Sequence, residues 1–313
     1  MGVCMVLTVT LNPAVDRTVY VEELKTGELN RVKAVKTDPG GKGINVSKAL
    51  HSYDVEQKAT GILAGMNGRY LLSLLESYSF PKEFLMVSGE TRVNTKILDM
   101  KTGLVTEINE QGPKVAENDI EDFLKLMKEN LKKCELLVLS GSLPEGVRPD
   151  FYARCIEMAS EMKVPSVLDA DGEPFRLGLK AMPYAIKPNL CEFERITGRT
   201  FSGIREIRDE IRKMHKAGID LILVSLGKEG SVLSWRNKTF HALPLPVQAR
   251  STVGSGDSMV AALAYCILKD ITADRTARIT SAAGSLTAAL NGTEMSEWNN
   301  IKDVYMNVQI EEI

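Results

Sequence analysis

The stretch Ile204–Ser225, IREIRDEIRKMHKAGIDLILVS, changes its period part of the way along. Ile204, Ile207, Ile211 and Met214 follow one another at helical steps, which gathers their side chains on one face of a helix. From Leu221 to Val224 every residue is apolar, the mark of a short strand buried on both sides. Helix followed by strand is thus the local unit. The same beat recurs outward along the chain. Apolar runs at Val6–Thr10, Leu136–Leu139 and Ser166–Leu168 alternate with charged, helix-periodic stretches at Ile120–Lys133 and Phe151–Met162. Continuous apolar strands joined by helical crossovers require a sheet covered on both faces, so the expectation is a single α/β domain over residues 1–313, doubly wound, with a mostly parallel sheet flanked by helices.

Two regions depart from this beat. Thr18–Lys36 and Thr91–Gly112 contain short alternating stretches with turn signals at Thr26-Gly27 and Lys101-Thr102-Gly103, which read as antiparallel hairpins. Strands with no helix between them do not fit a parallel sheet. They are expected to form a small β-sheet apart from the main one, from about residues 17–36 and 91–113. Such an appendage is a lid, a subunit contact or surface decoration. Open edges and the apolar positions Val19, Val21, Ile97 and Val105 make pairing with a second copy of the chain an expectation.

The 313 residues carry 39 Lys plus Arg against 41 Asp plus Glu, a formal charge of -2, which excludes a general nucleic-acid binder and points to small partners bound locally. Five cysteines (Cys4, Cys134, Cys155, Cys191, Cys266) without a Cys-x-x-Cys pair read as reduced, mostly buried thiols. His51, His215 and His241 lack metal-ligand spacing, which argues against a zinc site or a histidine relay. The longest apolar run, Met259–Leu268, is about half of what a bilayer crossing needs. With no leader pattern and Val6 where a myristoylation motif wants Ser or Thr, the expected location is cytoplasmic, with no membrane partner.

The sharpest local feature is Ser251-Thr252-Val253-Gly254-Ser255-Gly256-Asp257-Ser258, directly before the helical run Met259–Lys269. Gly254 and Gly256 let the backbone turn so that successive N–H groups point outward at a helix start, where an anion is favoured. Asp257 beside that hole is placed to take a proton from an attacking hydroxyl. The same octet also reads as a plain helix cap, with glycines for the turn and Asp257 for the dipole. A second glycine-rich turn, Pro39-Gly40-Gly41-Lys42-Gly43-Ile44-Asn45, opens an amphipathic helix through Val46, Ala49, Leu50 and Tyr53. Lys42 supplies a point charge, and Asn45 offers donors and an acceptor to a polyol. Walker, protein-kinase and dinucleotide-binding signatures are absent. Polar, glycine-bearing turns follow three strands: SGSLP at 140–144, KPNLCE at 187–192 and SLGKEG at 225–230. Together they describe the floor of one cleft beyond the strands' carboxyl ends. Asn189 and Glu192 are spaced either to face a hydrated Mg2+ or to form a capping box at a helix start.

These elements together resemble the ribokinase-like sugar kinases, in their phosphofructokinase B branch. TLNPAVD at 10–16, GGKGINVS at 40–47, GETRVN at 89–94, SGSLP, KPN-x-x-E, VSLG-x-x-G and TVGSGDSM appear in the family's order along nearly the whole chain. The resemblance implies ATP-dependent phosphorylation of a sugar hydroxyl with Mg2+, under a β-sheet lid. It makes Asp257 the base and Gly254, Ser255 and Gly256 the anion hole. It places Asp16, Gly40, Gly41 and Asn45 on the sugar, and Arg92 with Lys42 on the phosphate the sugar already carries. Ser225, Gly227 and Gly230 fall on the nucleotide side, and Asn189 with Glu192 in the metal and phosphate region. Ser255 stands where Ala is common in the family. Within the branch the motifs are closer to enzymes acting on fructose 1-phosphate at its 6-hydroxyl than to those acting on tagatose 6-phosphate or fructose 6-phosphate. A non-catalytic sugar-phosphate sensor on the same fold, or a nucleoside kinase, are the rivals of other kinds.

Overall fold

A computed structural model describes residues 6–251, 253–290, 292 and 294–313, so Cys4 and Thr252 lie outside the described residues. In chain order, β1 (Val6–Thr10) leads into a hairpin of β2 (Ala14–Val21) and β3 (Val32–Gly40), followed by α1 (Lys42–Ser52), β4 (Gln57–Ala64), α2 (Gly65–Leu75) and β5 (Lys82–Val87). A second hairpin, β6 (Arg92–Asp99) and β7 (Val105–Asn109), precedes α3 (Glu117–Leu131), β8 (Leu136–Ser140), α4 (Phe151–Glu161), β9 (Ser166–Asp169), α5 (Gly172–Lys180), β10 (Ala185–Ile186) and α6 (Leu190–Thr197). The remainder comprises α7 (Ile204–Ala217), β11 (Leu221–Ser225), β12 (Ser231–Trp235), β13 (Lys238–Ala242), α8 (Ser255–Leu268), α9 (Ala273–Ala288), α10 (Trp298–Val304) and β14 (Ile310–Glu312).

The main sheet runs β14, β13, β12, β11, β10, β9, β8, β1, β4, β5. From β5 across to β11 neighbours pair in parallel, and β12, β13 and β14 close one edge in antiparallel fashion. The chain starts in the interior at β1 and winds to β4 and β5 on one side, then to β8 and beyond on the other. That reversal is a topological switch point, where a crevice opens at the carboxyl ends of the strands. Strand side chains alternate between two cores. Val6, Val138 and Leu223 pack with Val46, Val260 and Ala283 on one face, while Leu7, Leu139 and Ile222 pack with Phe123, Tyr152 and Ile211 on the other. The helical face read in α7 is partly submerged as expected: Ile207 and Ile211 are buried, and Ile204 and Met214 pack against the same core. Helix α1, expected to be amphipathic, is instead buried at every residue from Gly43 to Leu50, because it lies between the sheet and α8.

The two irregular regions do form a separate sheet, in the order β3, β2, β6, β7. Both hairpins are antiparallel, and they join through a parallel pairing of β2 with β6. Of the apolar positions expected to be open, only Val105 is exposed; Val19 and Ile97 are half-buried and Val21 is buried, since the β6–β7 turn crosses it and Met100 N–H bonds to its carbonyl. Val35 and Ile108 are exposed as well. Cys155 and Cys266 are buried, Cys134 is half-buried and Cys191 is exposed. Among the described residues no helix is long and apolar enough to cross a membrane.

Candidate active site

Helix α8 opens at Ser255, ahead of its apolar run, so the glycines occupy the cap and first turn. Gly254 is the N-cap with φ 79°, in the left-handed region, and a side chain there would strike Met295. The first rung of the helix ladder is Ser258 N–H to Gly254 O, 2.9 Å. The amides of Ser255, Gly256 and Asp257 therefore have no partner within the helix and carry its positive pole. Ser255 Oγ is buried without a hydrogen bond. Asp257, 7% exposed, accepts a hydrogen bond from Asn45 Nδ2 at 2.8 Å. Burial, reinforced by the nearby Asp169 carboxylate, pushes its pKa up to about 6 against the pull of Lys42, Asn45 and Lys187. A carboxylate that ionises just below neutrality is suited to general-base work.

Asn45 is brought there by the turn before α1. Gly41 adopts φ 114°, and a Cβ on it would lie 2.9 Å from Thr10 Cγ2 and 3.0 Å from Pro13 Cα, so only glycine lets α1 start against β1. Lys42 is the first helical residue and lines the same cavity as Arg92. Its ammonium lies 3.4 Å from Asp169 Oδ1, because the start of α1 faces the ends of β8 and β9. Lys187 Nζ is also 3.4 Å from Asp169 Oδ1, and Ser140 Oγ donates to Asp169 Oδ2 at 3.0 Å. Burial would raise the pKa of Asp169, but Lys187 and Lys42 outweigh it and hold the carboxyl below its usual range. Asp169 in turn holds Lys42 well above the ordinary ammonium range. Two ammoniums thus share one carboxylate close to the α8 amides; a Cβ on Gly256 would be 3.3 Å from Lys187 Nζ.

The second sheet forms the opposite wall. Asp16 and Asn94 are register neighbours on β2 and β6, and Asn94 Nδ2 donates to Asp16 Oδ1 at 3.2 Å. Gly40 is required beside them, since a side chain would run into the Asp16 carboxylate. Burial raises the pKa of Asp16, opposed chiefly by Lys96. Arg92 donates to Asn12 O at 3.2 and 3.0 Å and to Glu110 O at 3.4 Å, and forms no ion pair among the described residues.

On the remaining side, Asn189 Oδ1 accepts from Glu192 N–H at 2.9 Å while Glu192 Oε2 accepts from Asn189 N–H at 2.8 Å. The capping box left open by the sequence is therefore realised, and it leaves Glu192 one uncommitted oxygen. Ser225 bridges to Asn189, while Gly227 and Gly230 take φ 60° and 86° in the turn that follows. One cavity of about 880 Å³ joins these walls, and every expected site residue lines it except Gly40, which acts only by leaving room for Asp16. Its far end is apolar, with Pro244, Leu245, Val247 and Ala288. Asp169, Lys187, Asn94 and Lys96 line it too, though none was singled out for a role from sequence. The signal for Asp169 was its place at the carboxyl end of a buried strand. Among the described residues no group of three or more His, Cys, Asp or Glu is gathered for a metal. Glu192 with its free oxygen fits Mg2+ that arrives with substrate phosphates and keeps several waters.

Comparison with known proteins agrees with this geometry. The profile of the pfkB family carbohydrate kinases matches residues 9–300. A 1-phosphofructokinase of Bacillus subtilis (strain 168) is 34% identical over 284 residues, covering 91% of this chain and 92% of the relative. Phosphofructokinase-2 of Escherichia coli superposes with a TM-score of 0.92 at 25% identity, over 97% of this chain and 99% of the other. A possible 1-phosphofructokinase of Thermotoga maritima gives 0.89 at 28% identity, over 99% of each chain.

Proposed function

The chain belongs to the pfkB family of carbohydrate kinases, and from that premise we propose that it transfers the γ-phosphate of ATP to the 6-hydroxyl of fructose 1-phosphate, giving fructose 1,6-bisphosphate. The observation that carries the reading is Asp257, buried at the helix start, held by Asn45 and ionising near pH 6 beside free amides and two ammoniums. Asp257 receives the hydroxyl proton as that oxygen attacks the γ-phosphorus in line and the bond to the bridging oxygen breaks, releasing ADP. The α8 amides, Lys187 and Lys42 face the charge on the migrating group, where preorganised donors are most effective. Asp16 and Asn45 hold sugar hydroxyls, and Arg92, with carbonyl partners only, takes the phosphate already present. Ser225, Gly227 and Gly230 border the nucleotide. Mg2+, held through Glu192 and the nucleotide phosphates, would neutralise the β- and γ-oxygens.

Residues 17–36 and 91–113 act as a lid that keeps water from competing as acceptor. Their outer face, where Val35, Val19 and Ile97 are aligned in register and Ile108 is exposed, pairs with a second copy. Light scattering tests this: Ile108→Lys is expected to give monomers at concentrations where the parent is a dimer, and a monomeric parent refutes it.

The 34% relative favours fructose 1-phosphate; the fold likeness to phosphofructokinase-2 makes fructose 6-phosphate the second reading. ADP release across fructose 1-phosphate, fructose 6-phosphate and tagatose 6-phosphate, ranked by kcat/KM, decides. Preference for either 6-phosphate overturns the substrate. An Asp257→Asn enzyme that binds both substrates yet keeps near-parental turnover overturns the mechanism.

A further inference from the structure

On β6, residues 92, 94 and 96 share one face by the two-residue alternation of a strand, and all three line the cavity. Two of them have evident partners. Arg92 is held by carbonyls and Asn94 by Asp16. Lys96 is different. Its side chain is 10% exposed, yet its only ionic partner among the described residues is Asp16, with Nζ 4.0 Å from Oδ2 and no hydrogen bond between them. Glu107, its cross-strand neighbour on β7, is exposed to solvent and forms no ion pair with it. An ammonium has three donors, and in a largely buried position one long ion pair does not satisfy them. Asn94 Oδ1 is likewise buried without a partner among the described residues, and Asp16 Oδ2 accepts no hydrogen bond from them, its nearest cation being Lys96. One small patch of the wall therefore presents a cation, an anion and an amide oxygen, each with capacity left over.

The charge of this patch selects its ligand. Asp16 and Lys96 together are neutral, and an incoming phosphate would meet the Asp16 carboxylate about as soon as it met the ammonium. Asp16 is near enough to act on Arg92 as well, but Arg92 forms no ion pair among the described residues and bonds only to carbonyls. We propose that Lys96 is a substrate-binding, specificity-determining residue: its ammonium donates to a ring hydroxyl of the sugar phosphate while Asp16 and Asn94 Oδ1 accept from that hydroxyl and its neighbour. The inference rests on the sugar-phosphate kinase reading above and orients the substrate within it. The hydroxyl-bearing edge lies against β2 and β6, the resident phosphate lies at Arg92, and the acceptor hydroxyl lies at Asp257.

The test uses the full chain and whichever ketohexose phosphate releases ADP most efficiently. Hydrogen bonds to charged groups are strong enough that Lys96→Met is expected to raise KM for that sugar phosphate by roughly tenfold to hundredfold, with KM for ATP unchanged and kcat reduced much less. Lys96→Gln, which keeps a donor without the charge, falls between. The discriminating measurement repeats kcat/KM with the 3-deoxy and 4-deoxy analogues. The parent loses at least tenfold on one of them, and Lys96→Met no longer distinguishes that analogue from the full sugar. If the deoxy penalty is as large in the variant as in the parent, Lys96 is not reading a hydroxyl and the proposal falls, even if KM has risen through a looser fold. An unchanged sugar KM also refutes it. A parent that turns over none of the sugar phosphates refutes the kinase reading itself, which the two variants cannot mimic.

Discussion

Asn45→Ala removes the one hydrogen bond that the Asp257 carboxylate receives from a side chain among the described residues, Nδ2 to Oδ2 at 2.8 Å. In the parent, Asp257 ionises at about 6, so kcat/KM is expected to climb with pH through that value and then level off. A hydrogen bond to a charged acceptor contributes about 1.5–3 kcal/mol, which at 1.36 kcal/mol per pH unit moves the variant's acid limb to roughly pH 7–8. At pH 7 the ionised fraction of the base then drops from about nine tenths to between one half and one tenth. Asn45 Oδ1 is also buried without a partner, so loss of its proposed contact with the sugar would add a deficit that is the same at every pH. The assay is kcat/KM from pH 5 to 9.5 for both enzymes. The substrate's own phosphate ionises near 6, but it does so identically in both profiles and cancels in their ratio. The variant-to-parent ratio should be flat above about pH 8, fall as the pH drops toward 6, and level off again below it. A ratio constant across the range would mean that Asn45 does not set the ionisation of Asp257, or that Asp257 is not the group being titrated.

Asp257 also predicts a stability effect of definite sign. Its folded pKa of about 6 lies above the ordinary 3.8, so the fold favours the neutral acid, fully below pH 3.8, and this contribution is lost as pH rises through 6. Asp257→Asn should therefore raise the urea midpoint at pH 8, by up to roughly 3 kcal/mol in unfolding free energy, and leave it nearly unchanged at pH 4; equal effects at both pH values contradict this. Lys42→Met is expected to lower kcat by about a hundredfold or more with sugar KM within a few-fold, the pattern of a donor felt in the transition state. The opposite pattern would return Lys42 to the resident phosphate. Gly41→Ala forces an L side chain into φ 114° against Thr10 and Pro13, and should cost about 1–3 kcal/mol in a urea titration together with most of the turnover; a silent substitution would show that α1 can start elsewhere.

Four strands of the main sheet, β1, β8, β9 and β11, were legible because each is a short, largely apolar run buried on two faces, as in Leu221–Val224. The antiparallel edge was less so. Residues 231–242 read through a two-residue turn at Arg236-Asn237, both at positive φ, with no glycine to announce it. The helix start at Ser255 was obscured by its own glycines, which weigh against a helix in any propensity reading although the cap requires them. Asp169, Lys42 and Lys187 form a cluster only because three different elements end at the same crevice; nothing local in LDADG or KPN says that one carboxylate serves two ammoniums. Lys96 was hidden for a related reason, since an alternating strand shows which residues share a face and not which face is dry.

The second sheet is joined to the main domain with almost no slack. Only Leu11, Asn12 and Pro13 separate β1 from β2, and only Gly41 separates β3 from α1, whose Asn45 amide bonds back to Gly41 O at 2.9 Å. A single glycine thus links the strands beside the cleft to the helix that carries Asn45, the partner of Asp257. A tilt of the sheet is expected to reach Asn45, since no loop lies between them to absorb it. On the proposed reading this would couple coverage of the sugar to alignment of the base, and an extra residue inserted between Gly40 and Gly41 is expected to weaken that coupling.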